Sequence, residues 1–478
     1  MGNELTKKYG LFTAIAMVVG IVIGSGVFFK AQNILNMTEG NMTLGILAWV
    51  IGAFVMIVCA YCFATMATKY EKVNGHVDYS EATCGKGYAY YMGWFVTTIY
   101  YPAMTSVLAW VSARYTLEIF GAMDPTTGTC LALAGLYLVI SYSLNALSPV
   151  LAGKFQVTAT VIKLIPLILM AVVGTIFGLT VTPDGAQAPQ LVENFAAAGG
   201  GVETLFGACV ATVFAYEGWI IATSINSEIK DAKKNLPIAL LLGTIIIAVI
   251  YIAYYIGLAG GASVDSLRND GAQIAFLNIF GGVFGTILKV FIAISCLGTL
   301  NGLMVGSTRG LYALSARKDG PRPDMFGNVD KATNMPTNAA VFGLLVTALW
   351  LFYFFAANLG GLFTATYDAA TANDFIKLIG TLDAEAGVYS INWFGFDSSE
   401  IPIITVYAMY LPIFFKMFTF KEFGVFKRIV MPALAIIGSL FMVFATVYSH
   451  KWGVAFYIIV YTVIMLVGKY FRKKAIAD

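Results

Sequence analysis

The sequence predicts an all-α polytopic membrane protein with twelve transmembrane helices, of which the first and the sixth are discontinuous. Three observations support this fold class: the apolar composition, twelve apolar segments of spanning length, and glycines inside two of them. Of the 478 residues, 59% are hydrophobic and only 12% are charged, whereas soluble domains carry about 25% charged residues. Because no polar stretch is long enough to fold alone, we expect a single transmembrane domain over residues 1–478.

Each predicted span contains roughly 20 mainly apolar residues, which is the length needed to cross the hydrocarbon core as a helix. The polar segment before the first span has no small-residue cleavage site, so we expect it to be retained. The predicted spans are 11–34, 44–67, 88–117, 131–147, 157–178, 205–225, 238–258, 283–314, 339–355, 401–420, 429–448 and 454–469.

Basic residues indicate the orientation of these spans. With the amino terminus inside, the inner segments hold a large excess of lysine and arginine, as the positive-inside rule requires. We therefore expect both termini in the cytoplasm and the protein in the plasma (inner) membrane. The net charge of +3 gives no indication of nucleic-acid binding. The few basic residues of the outer segments are Lys30, Arg114, Arg268, Lys377 and Lys451.

The first span contains a cluster of helix-weakening residues at its centre. Residues 20–26 read Gly-Ile-Val-Ile-Gly-Ser-Gly, and glycine and serine have low helix propensity. In hydrocarbon, an unpaired backbone N–H or C=O costs several kcal/mol, so a broken helix persists only where it lines a cavity or contacts a ligand. Many secondary transporters build a substrate site from such a break.

Span 6 contains a second predicted break at residues 214–219, which read Phe-Ala-Tyr-Glu-Gly-Trp. A glutamate beside a glycine at bilayer depth indicates a function or a specific partner. Spans 1 and 6 hold equivalent positions in two five-span halves, as an inverted repeat requires. We expect repeats over about 11–180 and 202–420 and two additional helices over about 429–470. The alternative is two unrelated contacts between small residues.

Several stretches of the chain carry a family resemblance. Residues 20–28, Gly-Ile-Val-Ile-Gly-Ser-Gly-Val-Phe, and residues 214–219 with 226–237 are similar to the span-1 and span-6 signatures of the amino acid–polyamine–organocation superfamily. Within it, the chain looks most like bacterial relatives of the L-type amino acid exchangers and the serine/threonine exchangers. Weaker marks are 153–155 and 163–166 in span 5 and 295–302 in span 8.

The resemblance implies a LeuT-type five-plus-five inverted repeat and amino acid transport by alternating access. We expect sodium-independent exchange of small neutral L-amino acids. The alternatives are proton-coupled symport and antiport of cationic amino acids or polyamines. A channel would need a polar pore face and an enzyme would need a catalytic cluster, and neither is visible in the spans. The expected partners are the amino acid and the lipid bilayer, with an accessory subunit left undecided.

Neither a metal nor a cofactor is expected. The cysteines show no metal spacing beyond the pair Cys59 and Cys62 inside a span, which we interpret as packing. The histidines, His76 and His450, lie far apart in the sequence and have no acids paired with them.

The candidate substrate contacts lie at the two breaks. Backbone amides where span 1 resumes, with the positive end of the helix dipole, would bind a carboxylate. Carbonyls left unpaired in span 6 would bind an ammonium group. The predicted substrate-binding residues are Val22, Ile23, Gly24, Ser25, Gly26, Phe214, Ala215, Tyr216, Glu217, Gly218 and Trp219.

Three side chains at the second break have alternative roles. Tyr216 and Trp219 would pack over the substrate or close a gate, and the alternative for Tyr216 is aromatic filling between helices. Glu217 either faces the site, where it would favour a cation or take a proton, or turns aside to pair with a hydroxyl or a backbone amide.

Lys163 in span 5 is the second charge inside a span, where lysine usually faces the bundle interior. The resemblance implies that it projects into the position that a cation occupies between spans 1 and 8 in sodium-coupled relatives, and Ser295 in span 8 is assigned to the same site. Desolvation also makes proton coupling through this lysine available. The alternative is snorkelling from a span end, which is what we expect of Lys289.

The segment 356–400 between spans 9 and 10 is net acidic and longer than the resemblance leads us to expect. A loop of this length usually has short elements of its own or a function. We expect an extracellular cap that makes no contact with the substrate.

Overall fold

The structure is a computed structural model that describes residues 10–24, 26–70, 75–122, 126–147, 149–220, 229–330, 335–383 and 386–477. The predicted site residue Ser25 and the residues that follow the second break, 221–228, lie outside the described residues. The helices of the described part are α1 (Leu11–Val22), α2 (Gly26–Met37), α3 (Met42–Lys69), α4 (Gly75–Cys84), α5 (Lys86–Phe95), α6 (Tyr101–Ile119), α7 (Gly128–Leu147), α8 (Pro149–Leu169), α9 (Thr175–Thr180), α10 (Gln190–Ala196), α11 (Leu205–Tyr216), α12 (Ala232–Gly261), α13 (Val264–Asp270), α14 (Ala272–Ser315), α15 (Pro323–Phe326), α16 (Thr337–Phe354), α17 (Asp374–Ile379), α18 (Ile401–Met417), α19 (Met431–His450) and α20 (Trp452–Ala477).

Short segments of other helical geometry extend or join several of these helices. A single 3₁₀ turn, Val202–Thr204, precedes α11. The π-helical turns are Val96–Tyr100 between α5 and α6, Met170–Gly174 between α8 and α9, Phe355–Leu359 after α16, and Phe426–Val430 before α19.

The polytopic membrane fold is confirmed. Eight helices in the described part of the chain are long and apolar enough to cross a membrane, and the bent pair Leu11–Val22 and Gly26–Met37 makes nine if it forms one span. Shorter apolar helices cover Val202–Tyr216, Ala272–Ile287 and Ile401–Met417. A helix lies at each of the twelve predicted span positions. The count of twelve spans and the inverted repeat nevertheless stay predictions, since the shorter helices do not reach spanning length.

The segment between α16 and α18 departs from the predicted all-α class. It contains a three-stranded antiparallel sheet in the order β1-β3-β2, where β1 is Thr364–Asp368, β2 is Thr381–Asp383 and β3 is Val388–Asn392. Threonine, valine and tyrosine in these strands favour a pleated, half-buried surface. The all-α prediction is therefore wrong for this segment, because strands of three to five residues within a loop are too short to show a clear alternation of apolar and polar residues.

Glycines bring α12 into direct backbone contact with the α8–α9 region. A Cβ on Gly257 would lie 2.1 Å from the carbonyl oxygen of Met170, and a Cβ on Gly260 would lie 2.1 Å from that of Gly174. Membrane helices associate through such small residues because lipid supplies no hydrophobic driving force between them. This contact holds α12 against the bundle, where one of its tyrosines reaches the candidate site.

We expect Gly260→Val to destabilise the protein, because the added atoms meet rigid backbone rather than a flexible side chain. Overpacking of this kind costs about 1–3 kcal/mol or more. The measurement is the thermal unfolding midpoint of the purified protein in detergent. The matched control is Gly135→Val in α7, where an added Cβ meets no atom within 4 Å. Equal midpoints for the two variants would contradict the proposed close contact.

Candidate functional site

The first break separates α1 from α2. Helix α1 ends at Val22, and Ile23 is extended, with φ −66° and ψ 103°. Helix α2 begins at Gly26 and makes an angle of 46° with α1. The last carbonyls of a helix lack partners within it, and here the Val19 carbonyl accepts from the Ile23 amide. Within the described residues, the carbonyls of Gly20 and Val22 find partners on other helices, in Lys163 and Tyr251.

The second break follows α11, which ends at Tyr216. Glu217 is extended, with φ −75° and ψ 156°. Gly218 has φ +106°, in the region that L side chains rarely adopt. A glycine is required at this position because any side chain would strain the backbone. Helical hydrogen bonding therefore stops where the sequence predicted it to stop.

The two breaks lie in contact with each other. A Cβ on Gly26 would lie 2.6 Å from the Cα of Ala215, so the start of α2 packs directly on the end of α11. A Cβ on Gly218 would lie 3.2 Å from the Ile21 side chain and 3.7 Å from its carbonyl oxygen. The backbone groups freed at one break thus face those freed at the other.

Tyr251 of α12 links the two breaks. Its hydroxyl lies 3.1 Å from the carbonyl oxygen of Val22 and 3.2 Å from that of Ala215. A phenolic hydroxyl has one hydrogen to donate, so the two carbonyls share it. Sequence reasoning missed this residue, because the sequence of an apolar span does not show which groups the hydroxyl of a tyrosine contacts.

Tyr216 and Trp219 pack between helices. The Tyr216 ring stacks on Tyr251 at 5.2 Å between centroids, and its hydroxyl donates to the Trp49 carbonyl at 3.1 Å. Trp219 is fully buried and lies 5.6 Å from the Phe63 ring of α3. The arrangement of Tyr216 is the one expected for aromatic filling.

Glu217 has a polar partner within the protein. Its Oε1 accepts a hydrogen bond of 2.5 Å from the Tyr100 hydroxyl. The side chain is buried, with 8% of its surface exposed, and its Oε2 has no hydrogen-bond partner within the described residues. One carboxylate oxygen is therefore paired with a hydroxyl and the other is unpaired, so both predicted roles of Glu217 stay predictions.

Lys163 of α8 is fully buried and donates to the carbonyl oxygen of Gly20, one of the carbonyls freed at the first break. It does not snorkel, because its ammonium points into the bundle. The thiol of Cys296 on α14 lies nearby. Lys289, by contrast, is partly exposed and lies 3.4 Å from the Glu118 carbonyl.

Helix α14 also approaches the first break. A Cβ on Gly24 would lie 2.4 Å from the Thr299 hydroxyl oxygen. That hydroxyl donates to the carbonyl of Ser295 at 3.1 Å. The Ser295 side chain is fully buried, and its own hydroxyl has no hydrogen-bond partner within the described residues. Residues of α8 and α14 therefore meet beside the first break, and the coupling role of Lys163 and Ser295 stays a prediction.

Phe214 faces a buried ion pair on the side of α2. The Lys30 ammonium lies 5.1 Å from the centre of the Phe214 ring and 2.5 Å from the Glu400 carboxylate. Sequence reasoning placed Lys30 in an outer segment and overlooked this pair, since its members lie 370 residues apart.

Glu400 also meets a histidine. His450 Nε2 lies 3.3 Å from Glu400 Oε2, so the expectation that His450 has no paired acid is wrong. Burial raises the pKa of Glu400, but the Lys30 ammonium and His450 lower it further, to about 2. The carboxyl is therefore ionised at neutral pH.

Comparison with known proteins agrees with this geometry. The family model described as amino acid permease matches residues 9–468. The chain is 27% identical over 457 residues to the serine/threonine exchanger SteT of Bacillus subtilis, covering 93% of this chain and 92% of that protein. It is 25% identical over 352 residues to the human large neutral amino acids transporter small subunit 2, covering 73% of this chain and 65% of the relative.

A more distant relative is the human cystine/glutamate transporter, which is 22% identical over 351 residues, covering 73% of this chain and 68% of the relative. Because the family model covers nearly the whole chain, the protein belongs to the amino acid permease family of the amino acid–polyamine–organocation superfamily.

Proposed function

We propose that this protein exchanges small neutral L-amino acids across the plasma membrane by alternating access, without sodium. The observation that supports this most strongly is the contact between the two interrupted helices. Backbone amides and carbonyls carry partial charges of opposite sign, so together they can bind both ends of a zwitterion. Of the relatives, the serine/threonine exchanger is named for two small neutral amino acids, whereas the large neutral amino acids transporter agrees with the proposal only in the neutral charge of its substrates.

The carboxylate would bind at the start of α2. The first amides of a helix have no partners within it, and the positive end of the helix dipole favours an anion there. The ammonium group would bind the carbonyls at the end of α11, among them that of Ala215. The Tyr251 hydroxyl also donates to this carbonyl and to that of Val22 at the first break, so the substrate ammonium and the Tyr251 hydroxyl would compete for the Ala215 carbonyl.

A small substrate is supported by the close packing beside the breaks. An added Cβ on Gly24 would lie 2.4 Å from Thr299, and one on Gly26 would lie 2.6 Å from Ala215. Where one additional carbon atom has no space, a bulky substrate side chain would require the helices to separate.

A neutral substrate is supported by the pairing of Glu217. Its Oε1 already accepts a hydrogen bond from the Tyr100 hydroxyl. A cationic amino acid or a polyamine would need this charge to face the substrate, so the hydrogen bond weighs against cation antiport. The buried Oε2, which has no hydrogen-bond partner within the described residues, is the atom that such a cation would contact.

Sodium independence is supported by Lys163. Its ammonium contacts the Gly20 carbonyl beside α14. A bound sodium ion would need carbonyl oxygens of this kind as ligands, and the lysine takes this one. A proton-coupled symporter is the second candidate, and it is favoured by the same observation. Lys163 is a fully buried titratable group beside the first break, and a transported proton would need such a group to bind it.

The orientation is part of the proposal. We infer that both termini lie in the cytoplasm, because lysine and arginine are concentrated in the segments on that side. The three-stranded sheet between α16 and α18 would then lie on the outer face of the plasma membrane.

The first prediction concerns the substrate carboxylate. Amines that lack a carboxylate should not compete for uptake, because each charge-assisted hydrogen bond contributes about 1.5–3 kcal/mol. Losing one should weaken binding roughly ten- to a hundredfold. The measurement is competition for labelled amino acid exchange in liposomes.

Gly26→Val should abolish this exchange for all amino acids, because its side chain would collide with the Ala215 backbone. Gly10→Val is the matched control, since a Cβ there meets no atom within 4 Å. Strong competition by simple amines would reject the carboxylate site and favour a polyamine antiporter with Glu217 as counter-charge.

The second prediction concerns coupling. Exchange should be equally fast with sodium or choline as the external cation, and Lys163→Ala should slow it by about tenfold or more because the Gly20 carbonyl loses its partner. Initial rates in liposomes, normalised to the amount of inserted protein, provide the measurement. Lys289→Ala serves as the control. A requirement for sodium in the native protein would contradict this proposal.

The third prediction concerns Tyr251. Tyr251→Phe keeps the ring but leaves the two carbonyls with one partner fewer, which costs about 1–3 kcal/mol. We expect the exchange rate to fall by about tenfold. Tyr255→Phe is the control on the same helix, because its hydroxyl has no hydrogen-bond partner in the described part of the chain. If both variants exchange at the native rate, Tyr251 does not hold the breaks.

A further inference from the structure

Three potential metal ligands converge where α18 begins and α19 ends. Asp397 and Glu400 precede α18, and His450 is the last residue of α19. One ligand atom from each residue lies within 4.8 Å of the other two. The sequence analysis found no metal site, because 50 residues separate the histidine from the nearer acid and only the fold brings them together.

The histidine and the glutamate are spaced as two ligands of one ion. His450 Nε2 lies 3.3 Å from Glu400 Oε2. Zinc binds nitrogen and carboxylate oxygen at about 2.0–2.2 Å in a tetrahedron, which separates two ligand atoms by about 3.3–3.6 Å. Glu400 is only 1% exposed, and its Oε2 meets His450 at ion-pair distance without an aligned hydrogen bond. This buried oxygen is aimed at the histidine.

The other ligand groups are held in position by neighbours. Asp397 Oδ1 accepts hydrogen bonds from the Ser399 amide, the Ser399 hydroxyl and the Glu400 amide, at 2.7, 2.6 and 2.9 Å. His450 Nδ1 lies 2.9 Å from the Ser449 hydroxyl. A partner at Nδ1 leaves Nε2 to the metal, as in most histidine-ligated sites.

The charge around the cluster permits a divalent cation. The cluster holds two carboxylates, and the Lys30 ammonium contacts one of them, Glu400, through Oε1, so that Oε2 faces His450. The His450 side chain is 14% exposed, so an ion can enter from that side. Lys30 opposes the ion through its positive charge.

We propose that Asp397, Glu400 and His450 bind a divalent transition-metal ion of the zinc class. Three protein ligands leave the fourth tetrahedral position to water. One imidazole with two carboxylates suits zinc better than magnesium or calcium, which prefer all-oxygen sites. The bound ion would connect the beginning of α18 to the end of α19.

The experiment is zinc titration of the purified full-length protein in detergent, followed by calorimetry. We expect saturable binding that excess magnesium does not displace. His450→Ala should weaken zinc binding by at least about tenfold, because even the loss of an outer-shell partner costs 10–100-fold. His76→Ala is the matched control, since it removes the other histidine of the chain and should leave binding unchanged.

The variant Lys30→Gln distinguishes a metal site from an ion pair that has only a structural role. Removing an opposing ammonium should strengthen zinc binding by about tenfold, even though it breaks the pair with Glu400. His450→Gln, which keeps a polar side chain, replaces His450→Ala if that variant does not fold. Absence of saturable zinc binding by the native protein, or unchanged binding in either His450 variant, would overturn the proposal.

Discussion

The structure depends on one constraint, which is that backbone groups released inside a membrane must find new partners. Breaking α1 at Val22 frees the carbonyls of residues 20–22, and ending α11 at Tyr216 frees others. Lys163 binds the Gly20 carbonyl, and Tyr251 lies between those of Val22 and Ala215. Each unpaired group would cost several kcal/mol in hydrocarbon. The breaks therefore persist only because three other helices supply side chains or close contacts.

Close helix packing makes these contacts reachable. Gly26 lies against the Ala215 backbone, and Gly257 and Gly260 place α12 against the backbone of Met170 and Gly174. Were α12 held farther away by larger residues, the Tyr251 hydroxyl would not reach either break. Glycines therefore have two roles. Those at the breaks weaken the helices, and those at helix contacts allow the helices that stabilise the breaks to approach closely.

The two charges near the breaks are both paired, and this shapes the chemistry of the site. Glu217 is held by Tyr100, and Lys163 is held by Gly20. One turn into α2, Lys30 pairs with Glu400 and lies over Phe214. Removing one partner of a buried pair costs about 3–5 kcal/mol. Any movement that separates α2 from α18 must therefore replace this pair with other partners. Because Lys30 also lies over Phe214, which precedes the second break, such a movement would affect that break as well.

The sequence by itself determined the membrane class, the positions of the helices and the two breaks. Helix breaking at 20–26 and at 214–219 is a local property, because glycine weakens a helix through its own backbone freedom. Hydrophobic length is equally local, so each predicted span position holds a helix. The strands between α16 and α18 were not predicted, because each has five residues or fewer and the alternation of apolar and polar residues is too short to recognise.

Only the tertiary structure decided which groups meet at the breaks and beyond them. Tyr251 joins Val22 to Ala215, Glu217 turns to Tyr100, and His450 meets Glu400. These partners are separated by up to 229 residues, and an apolar span containing several tyrosines gives no sign of which one points inward. Side-chain direction depends on the rotation and depth of each helix, which packing against neighbouring helices sets and which hydropathy along the chain does not record.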